Sequence, residues 1–79
     1  MIDYSKLPEH MREGARAYIE QGHEPGGFLQ AVFSNDFVRA DQINGENLHN
    51  WASFLYNDAP RRCWGSREAI NNWIEEKRG

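Results

Sequence analysis

The sequence contains one cysteine, Cys63, so the chain cannot form an internal disulfide. This cysteine and the three histidines do not stand at the spacings by which proteins collect four zinc ligands. A chain without disulfides is typical of a reducing compartment, and we therefore expect this one in the cytosol. These residues predict no metal site and no cofactor.

Long apolar runs are also missing: no stretch approaches the roughly 20 residues that a membrane-spanning helix needs. Residues 1–4 (MIDY) do not begin the basic region and apolar run of a secretory signal. Basic residues are not in excess, because nine Lys and Arg stand against twelve Asp and Glu, for a net charge of −3. This balance disfavours extended contact with nucleic acid, and we predict neither a nucleic-acid nor a membrane partner.

The chain is short, and its 79 residues fit a single domain spanning residues 1–79. A core of this size seldom supplies more than about 3–5 kcal/mol of net stability. Aromatic residues make up 13% of the chain, so dense aromatic packing is one source of further stability. Association with another copy is a second source, and a homo-oligomer stays open at this point.

Apolar residues recur at intervals of three and four, which predicts helices and no strand. The four predicted helices cover about residues 7–21, 27–35, 44–57 and 67–77. Because the predicted loops are short, we expect an all-α fold, a compact bundle of about four short helices.

Local capping signals mark most of the predicted helix ends. Ser5 is expected to cap the first helix, and Gly22 is expected to end it in the left-handed conformation. Asn44 is the expected cap of the third helix, although Asp41 would allow an earlier start. Ser66 is a favourable cap for the last helix.

Two features of the helix pattern leave alternatives open. The polar residues 34–36 (SND) either end the second helix, bend it, or cap a short continuation through residues 37–40. We expect them to brace this junction by side-chain to backbone hydrogen bonds. In the third helix, Phe54 and Tyr56 widen the apolar stripe, which predicts more than one covered face.

A glycine turn, residues 25–27 (PGG), precedes the second predicted helix. A helix N-terminus exposes unpaired N–H groups, and glycines at Gly26 and Gly27 leave room for an anion there. The segment matches neither the P-loop nor the dinucleotide fingerprint. A simpler interpretation is that the two glycines let the chain reverse and start a helix.

A second signal is the arginine loop, residues 60–65, which places Arg61 and Arg62 beside Trp64. Guanidinium groups suit phosphate or carboxylate, and an indole can stack on a base. If this loop faced the glycine turn, the two would form an anion pocket. A simpler interpretation is that Trp64 fills the core and the arginines pair with Asp58 or Glu68.

Catalytic chemistry has weaker support in the sequence. His23 beside Glu24 would suit a general base, and Cys63 would suit a nucleophile. No pattern brings them together, and a lone cysteine is more often a small buried apolar residue. His10 and His49 are expected to face solvent. We predict no enzymatic activity and no catalytic residue.

Three segments carry a resemblance to known proteins: residues 25–36 (PGGFLQAVFSND), 54–60 (FLYNDAP) and 63–66 (CWGS). Together with shorter matches across most of the chain, they resemble a family of short proteins encoded by tailed bacteriophages and prophages. This sequence is shorter than other members between Asp36 and Asp41. The resemblance implies a phage source and a small size class, and it assigns no functional residue.

A phage source favours two hypotheses about function. The first is a non-catalytic protein in the host bacterial cytosol that counters host defence by binding a phosphorylated, nucleotide-type small molecule. The alternative is an inhibitor or adaptor that binds a host or phage protein, since Tyr, Trp and Arg dominate such contacts. The predicted ligand-binding residues are Gly26, Gly27, Phe28, Arg61, Arg62 and Trp64.

Overall fold

The structure is a computed structural model that describes residues 2–79, and the helices of this part of the chain number five, with no strand. The elements are α1 (Glu9–Gln21), α2 (Gly27–Phe33), α3 (Phe37–Asn44), α4 (Leu48–Asn57), a 3-10 turn (Arg61–Cys63) and α5 (Arg67–Arg78). The predicted all-α class is confirmed. The predicted count of about four is wrong, because the chain between α2 and α4 forms a helix of its own.

The extra helix arises at the polar run 34–36. Asn35 takes the left-handed conformation at φ 66°, which asparagine tolerates better than most residues, and the chain leaves α2 there. The Asp36 carboxylate then accepts a hydrogen bond from the Arg39 N–H at 3.2 Å and caps α3. Ser34 donates to the Ala31 carbonyl at 3.1 Å. The run therefore ends one helix, caps the next and braces the junction, as predicted.

The predicted start of the third helix at Asn44 is wrong. Asn44 ends α3, and α4 begins at Leu48 after Asn47, which is left-handed at φ 66°. Since a left-handed residue breaks the helical hydrogen-bond ladder, residues 44–57 form the end of one helix and a separate second helix rather than a single helix.

The helix ends agree with the capping signals in two of four cases, since the predicted cap at Asn44 is also wrong. Gly22 ends α1 at φ 72°, and the Ser66 hydroxyl accepts from the Ala69 N–H at 3.0 Å at the start of α5. Ser5 does not cap α1, which begins at Glu9 after Pro8. The Arg12 guanidinium instead donates to the Ser5 carbonyl at 3.2 Å.

The core is one cluster centred on aromatic rings. Trp51 is fully buried and meets Phe33 and Phe54 edge-on, at centroid distances of 6.3 and 6.2 Å. Tyr18 packs on Phe33 at 4.7 Å. These contacts have the tilted and edge-on geometry that aromatic pairs prefer, so the dense aromatic packing expected of so short a chain is present.

Three hydrogen bonds fix the arginine loop and α5 on the bundle. The Tyr18 hydroxyl donates to the Cys63 carbonyl at 2.6 Å, and the Gly65 N–H donates to the Phe33 carbonyl at 2.8 Å. The Trp73 indole N–H donates to the Ile19 carbonyl at 3.1 Å. The loop is therefore attached to both α1 and the C-terminal end of α2.

Candidate functional site

The two glycines of the glycine turn are exposed at the start of α2, whereas Pro25 is buried. A Cβ added at Gly26 or Gly27 would meet no atom within 4 Å among the residues described. The Gly26 carbonyl accepts from the Gln30 N–H at 2.8 Å, so the first N–H groups of α2 are those that no helical carbonyl satisfies. The Gln30 side chain donates to the Pro25 carbonyl at 2.8 Å and holds the turn against the helix.

Phe28, the next predicted ligand-binding residue, belongs partly to the core. Its ring is half-buried and meets Trp51 edge-on at 5.9 Å between centroids. Only the remaining exposed part of the ring is accessible to a ligand, so the geometry favours packing over stacking on a base.

Both arginines of the arginine loop have partners within the chain. The Arg61 guanidinium lies 4.3 Å from the centre of the Trp64 ring and donates to the Trp64 carbonyl at 2.7 Å. Arg62 forms an ion pair with Glu76 of α5. Trp64 is half-buried against the core. A ligand phosphate would have to compete with these contacts, although all three charged groups are exposed to solvent.

The partners of the arginines differ from those expected in the simpler interpretation of this loop. Asp58 pairs with Lys6 at 3.0 Å, and Arg62 pairs with Glu76 rather than with Asp58 or Glu68. Trp64 packs on the core, in agreement with that interpretation.

The glycine turn and the arginine loop meet opposite ends of α2. Gly65 bonds the Phe33 carbonyl at the C-terminal end, whereas Gly27 is the first residue of the helix. Six residues at about 1.5 Å per residue separate these ends by roughly 9 Å. The Arg67 guanidinium donates to the side-chain oxygen of Gln30, in the middle of α2, at 2.8 Å.

Sequence reasoning missed Arg67, because it follows the Ser66 cap and reads as an ordinary first residue of a helix. Its partner Gln30 lies 37 positions earlier in the chain. No local pattern connects two residues at such a separation, and only the packing of α5 against α2 brings them together.

Shallow depressions follow the exposed side of α5. Two adjoining ones, of about 440 and 320 Å³, share Arg62, Asn72 and Glu76 as lining residues. A third, of about 600 Å³, is lined by Glu24, Asn71, Ile74, Glu75 and Arg78. Carboxylates line all three, which disfavours an anionic ligand there.

The side chains considered for catalysis are not arranged as a reactive site. Cys63 is fully buried, and burial raises the pKa of its thiol to about 12, so it stays protonated near neutral pH. His23 is exposed to solvent, as are His10 and His49. Within residues 2–79 no three potential metal-ligating side chains form a group.

A different surface, missed by the sequence reasoning, lies on α3 and α4. The exposed large apolar side chains of the described residues are Val38 (75% exposed), Ile43 (50%) and Tyr56 (83%), all on these two helices. The ten residues of α4 include no Asp, Glu, Lys or Arg. His49 and Ala52 are exposed on the same side of α4 as Tyr56. We refer to this exposed side of α4, together with Val38 and Ile43, as the α3–α4 face; the five-residue spacing of Val38 and Ile43 places these two on different sides of α3.

Comparison with known proteins found no matching family model, no matching curated protein and no matching solved structure. In the part of the chain that the structure describes, none of the helices has the length and apolar character to cross a bilayer. These comparisons therefore provide no evidence about function.

Proposed function

We propose that this chain is a non-catalytic protein-binding domain that contacts its partner through the α3–α4 face. One observation carries the proposal: Tyr56 is 83% exposed on a helix that has no formally charged residue. The centres of protein interfaces are depleted of charged residues and enriched in tyrosine, which supplies large contact area at small entropic cost.

The distribution of charge along the chain supports the same surface. Residues 34–57 include only four of the 21 Asp, Glu, Lys and Arg residues, and the exposed apolar side chains are found in the same segment. Single exposed apolar residues are ordinary on a protein surface, so the proposal depends on Tyr56 and on the uncharged helix that presents it.

The resemblance to phage proteins adds an expectation about the partner. Small phage accessory proteins often bind a protein of the host, so we propose a host or phage protein in the bacterial cytosol as the partner class. In this proposal the domain acts by occupying a surface of its partner, as an inhibitor or adaptor.

The test is a pull-down that compares the tagged wild type with a variant in which Tyr56 is truncated. The quantity measured is the amount of a protein retained at a fixed molar ratio to the tagged chain. We expect the wild type and the control Gln21→Ala, an exposed position on α1, to retain the partner equally. Tyr56→Ala should reduce retention by about tenfold, as interface tyrosines do. Equal retention by Tyr56→Ala, with circular dichroism showing a folded variant, contradicts the proposal.

A second candidate function, binding of a phosphorylated nucleotide-type molecule that signals host defence, is favoured by the position of Arg67. The Arg67 guanidinium donates to the side chain of Gln30 in the middle of α2, and this side chain also donates to the Pro25 carbonyl of the glycine turn. Arg61, Arg62 and Trp64 would join only by leaving their present contacts or from another copy of the chain.

This second candidate predicts a thermal shift of the wild type with a member of a panel of cyclic and ADP-ribose nucleotides, and its loss in Arg67→Gln. The control Glu9→Gln, on the exposed first turn of α1, should keep the shift. No shift and no calorimetric heat across the panel would end this candidate and leave the protein-binding proposal unaffected.

A further inference from the structure

We propose that Asn44 is a site of spontaneous covalent modification, at which the side-chain amide is converted to aspartate or isoaspartate through a cyclic imide. Residues 44–45 (NG) connect α3 to the turn before α4. Of the seven asparagines in the chain, Asn44 is the one that glycine follows. The inference goes beyond the proposed function and does not depend on it.

The reaction begins when the backbone nitrogen of Gly45 attacks Cγ, the side-chain carbonyl carbon of Asn44. This nitrogen has to be accessible and has to lose its proton. Gly45 is exposed to solvent and has no side chain that hinders the approach. In the described structure no hydrogen bond uses the Gly45 N–H, because α3 ends without a bond from this residue. A hydroxide ion from solvent can therefore remove the proton.

The side chain of Asn44 is held in place for this attack. Its Oδ1 accepts a hydrogen bond from the Glu46 N–H at 3.1 Å, and this bond closes a ring around the Gly45 peptide group. The same oxygen gains negative charge as the nitrogen adds to Cγ. A backbone N–H placed at such an oxygen stabilises the transition state of acyl transfer, so the bond from Glu46 favours the reaction as well as the position of the amide.

The atoms balance with water and hydroxide as the co-reactants. The Gly45 nitrogen gives its proton to hydroxide and bonds to Cγ, and the bond from Cγ to Nδ2 of Asn44 then breaks. Nδ2 takes a proton from water and leaves as ammonia, which regenerates the hydroxide and leaves the cyclic imide. Water then opens the imide at one of its two carbonyls. One opening gives aspartate, and the other gives isoaspartate, in which the main chain passes through the side-chain carbon.

The product has a negative charge at an unfavourable position. The C-terminal end of a helix carries a partial negative charge from its unpaired carbonyls. Asp41 and Glu46 both lie within three positions of Asn44, so the new carboxylate also stands among like charges. Of the eight residues of α3 only Ala40 is buried, and few contacts therefore oppose opening of this helix. We expect the modification to loosen α3.

The test is incubation of the folded full chain in mildly alkaline buffer, with the same chain unfolded in guanidinium chloride as the reference. Peptide mapping by mass spectrometry measures the conversion of each asparagine, and labelling by an isoaspartate methyltransferase detects the second product. We expect conversion at Asn44 and none at Asn47, which lies in the same turn but precedes Leu48. The rate constant in the folded chain should be within about tenfold of that in the unfolded chain.

Gly45→Ala should slow the conversion of Asn44 by about tenfold or more, because the added Cβ hinders attack by the neighbouring nitrogen. This variant should fold, since Gly45 has an ordinary helical φ of −77°. The added Cβ would lie 2.5 Å from Oδ1 of Asp41, at the end of a flexible side chain that can move aside. The control Gly27→Ala, which replaces another exposed glycine, should leave the rate of conversion unchanged.

The proposal is overturned if Asn44 stays intact in the folded chain after the unfolded reference has converted. Equal rates in Gly45→Ala and the wild type, or faster conversion of another asparagine, would overturn it as well.

The variant Asn44→Asp reproduces the charge of the product and tests its effect on α3. Hydrogen exchange of the α3 amides should be about threefold faster than in the wild type. The control Asn47→Asp places the same charge at the N-terminal end of α4, where it is favourable, and should not speed this exchange. Unchanged exchange in Asn44→Asp would show that the expected loosening of α3 is wrong.

Discussion

Replacement of Gly22 by alanine tests how α1 is joined to the rest of the bundle. Gly22 is buried, and its φ of 72° lies in the left-handed region. Its N–H donates to the Tyr18 carbonyl at 3.0 Å and so closes the last turn of α1. A Cβ at this position would overlap the Lys77 Cβ of α5 and lie 3.4 Å from the Ile74 carbonyl oxygen.

Two costs add in the Gly22→Ala variant. The left-handed conformation is about 1–2 kcal/mol less favourable for a residue with a Cβ than for glycine. The overlap involves the base of the Lys77 side chain, so α5 has to move away from α1, and overpacking of this kind costs about 1–3 kcal/mol. We therefore expect a loss of about 2–5 kcal/mol, which is comparable to the roughly 3–5 kcal/mol of net stability that such a domain possesses.

The matched control is Gly27→Ala, the same chemical change five residues later. Gly27 opens α2, and an added Cβ meets no atom within 4 Å in the described structure. Alanine is favoured over glycine in a helix by up to about 1 kcal/mol, so this variant should be as stable as the wild type or slightly more stable.

Urea unfolding followed by circular dichroism measures both variants. The free energy of unfolding of a very small protein falls by about 1 kcal/mol per molar urea, so Gly22→Ala should lower the urea concentration at the unfolding midpoint by about 2 M or more. A loss below about 0.5 kcal/mol for Gly22→Ala, or an equal loss for Gly27→Ala, would refute the reasoning about left-handed geometry and contact with α5.

Three further predictions concern the same fold. Ser66→Ala removes the acceptor of the Ala69 N–H and should cost about 1 kcal/mol, seen as a lower melting temperature; Ser5→Ala, which removes no cap, should not lower it. Tyr18→Phe leaves the buried Cys63 carbonyl without its donor and should cost about 1–3 kcal/mol in urea unfolding. Burial raises the pKa of the Cys63 thiol from 9.0 to about 12, so the unfolded chain loses this proton first. The free energy of unfolding should not depend on this thiol below pH 9 and should fall between pH 9 and 12. Burial also raises the pKa of Tyr4 and of Tyr18, so these two hydroxyls likewise lower stability at alkaline pH. Unfolding free energies that are equal at about pH 8 and pH 10.5 would contradict this.

The parts of the fold that the sequence predicted are those determined by near neighbours. Gly22 as a left-handed cap and Ser66 as a side-chain cap depend on residues within a few positions, and both are present. The separate helix α3 was not predicted, because residues 34–36 were compatible with an end, a bend or a new cap. The structure distinguishes these outcomes through the backbone conformation of Asn35 and the side-chain bond of Asp36.

The candidate site was harder to predict than the fold, because its contacts join residues far apart in the chain. Arg62 and Glu76 are 14 positions apart, and Arg67 and Gln30 are 37 positions apart. The residue types of the arginine loop predicted binding of a phosphorylated ligand, which stays a prediction, and in the structure both guanidinium groups have partners within the chain. Which carboxylate or amide each arginine meets depends on how α5 packs, and no spacing rule contains that information.

At Tyr56 the structure departs from the prediction that the third helix has more than one covered face. The sequence predicts more than one covered face for the third helix, and in the structure α4 buries Trp51, Phe54 and Leu55 while Tyr56 remains 83% exposed. Apolar periodicity indicates which side chains are shielded from water, but it does not indicate whether the shielding residues belong to the same chain. A helix that faces only water has no physical need to exclude charge from its outer side, yet α4 has none. The protein partner that we propose would account for both features, because burial in an interface favours an exposed tyrosine and disfavours unpaired charge.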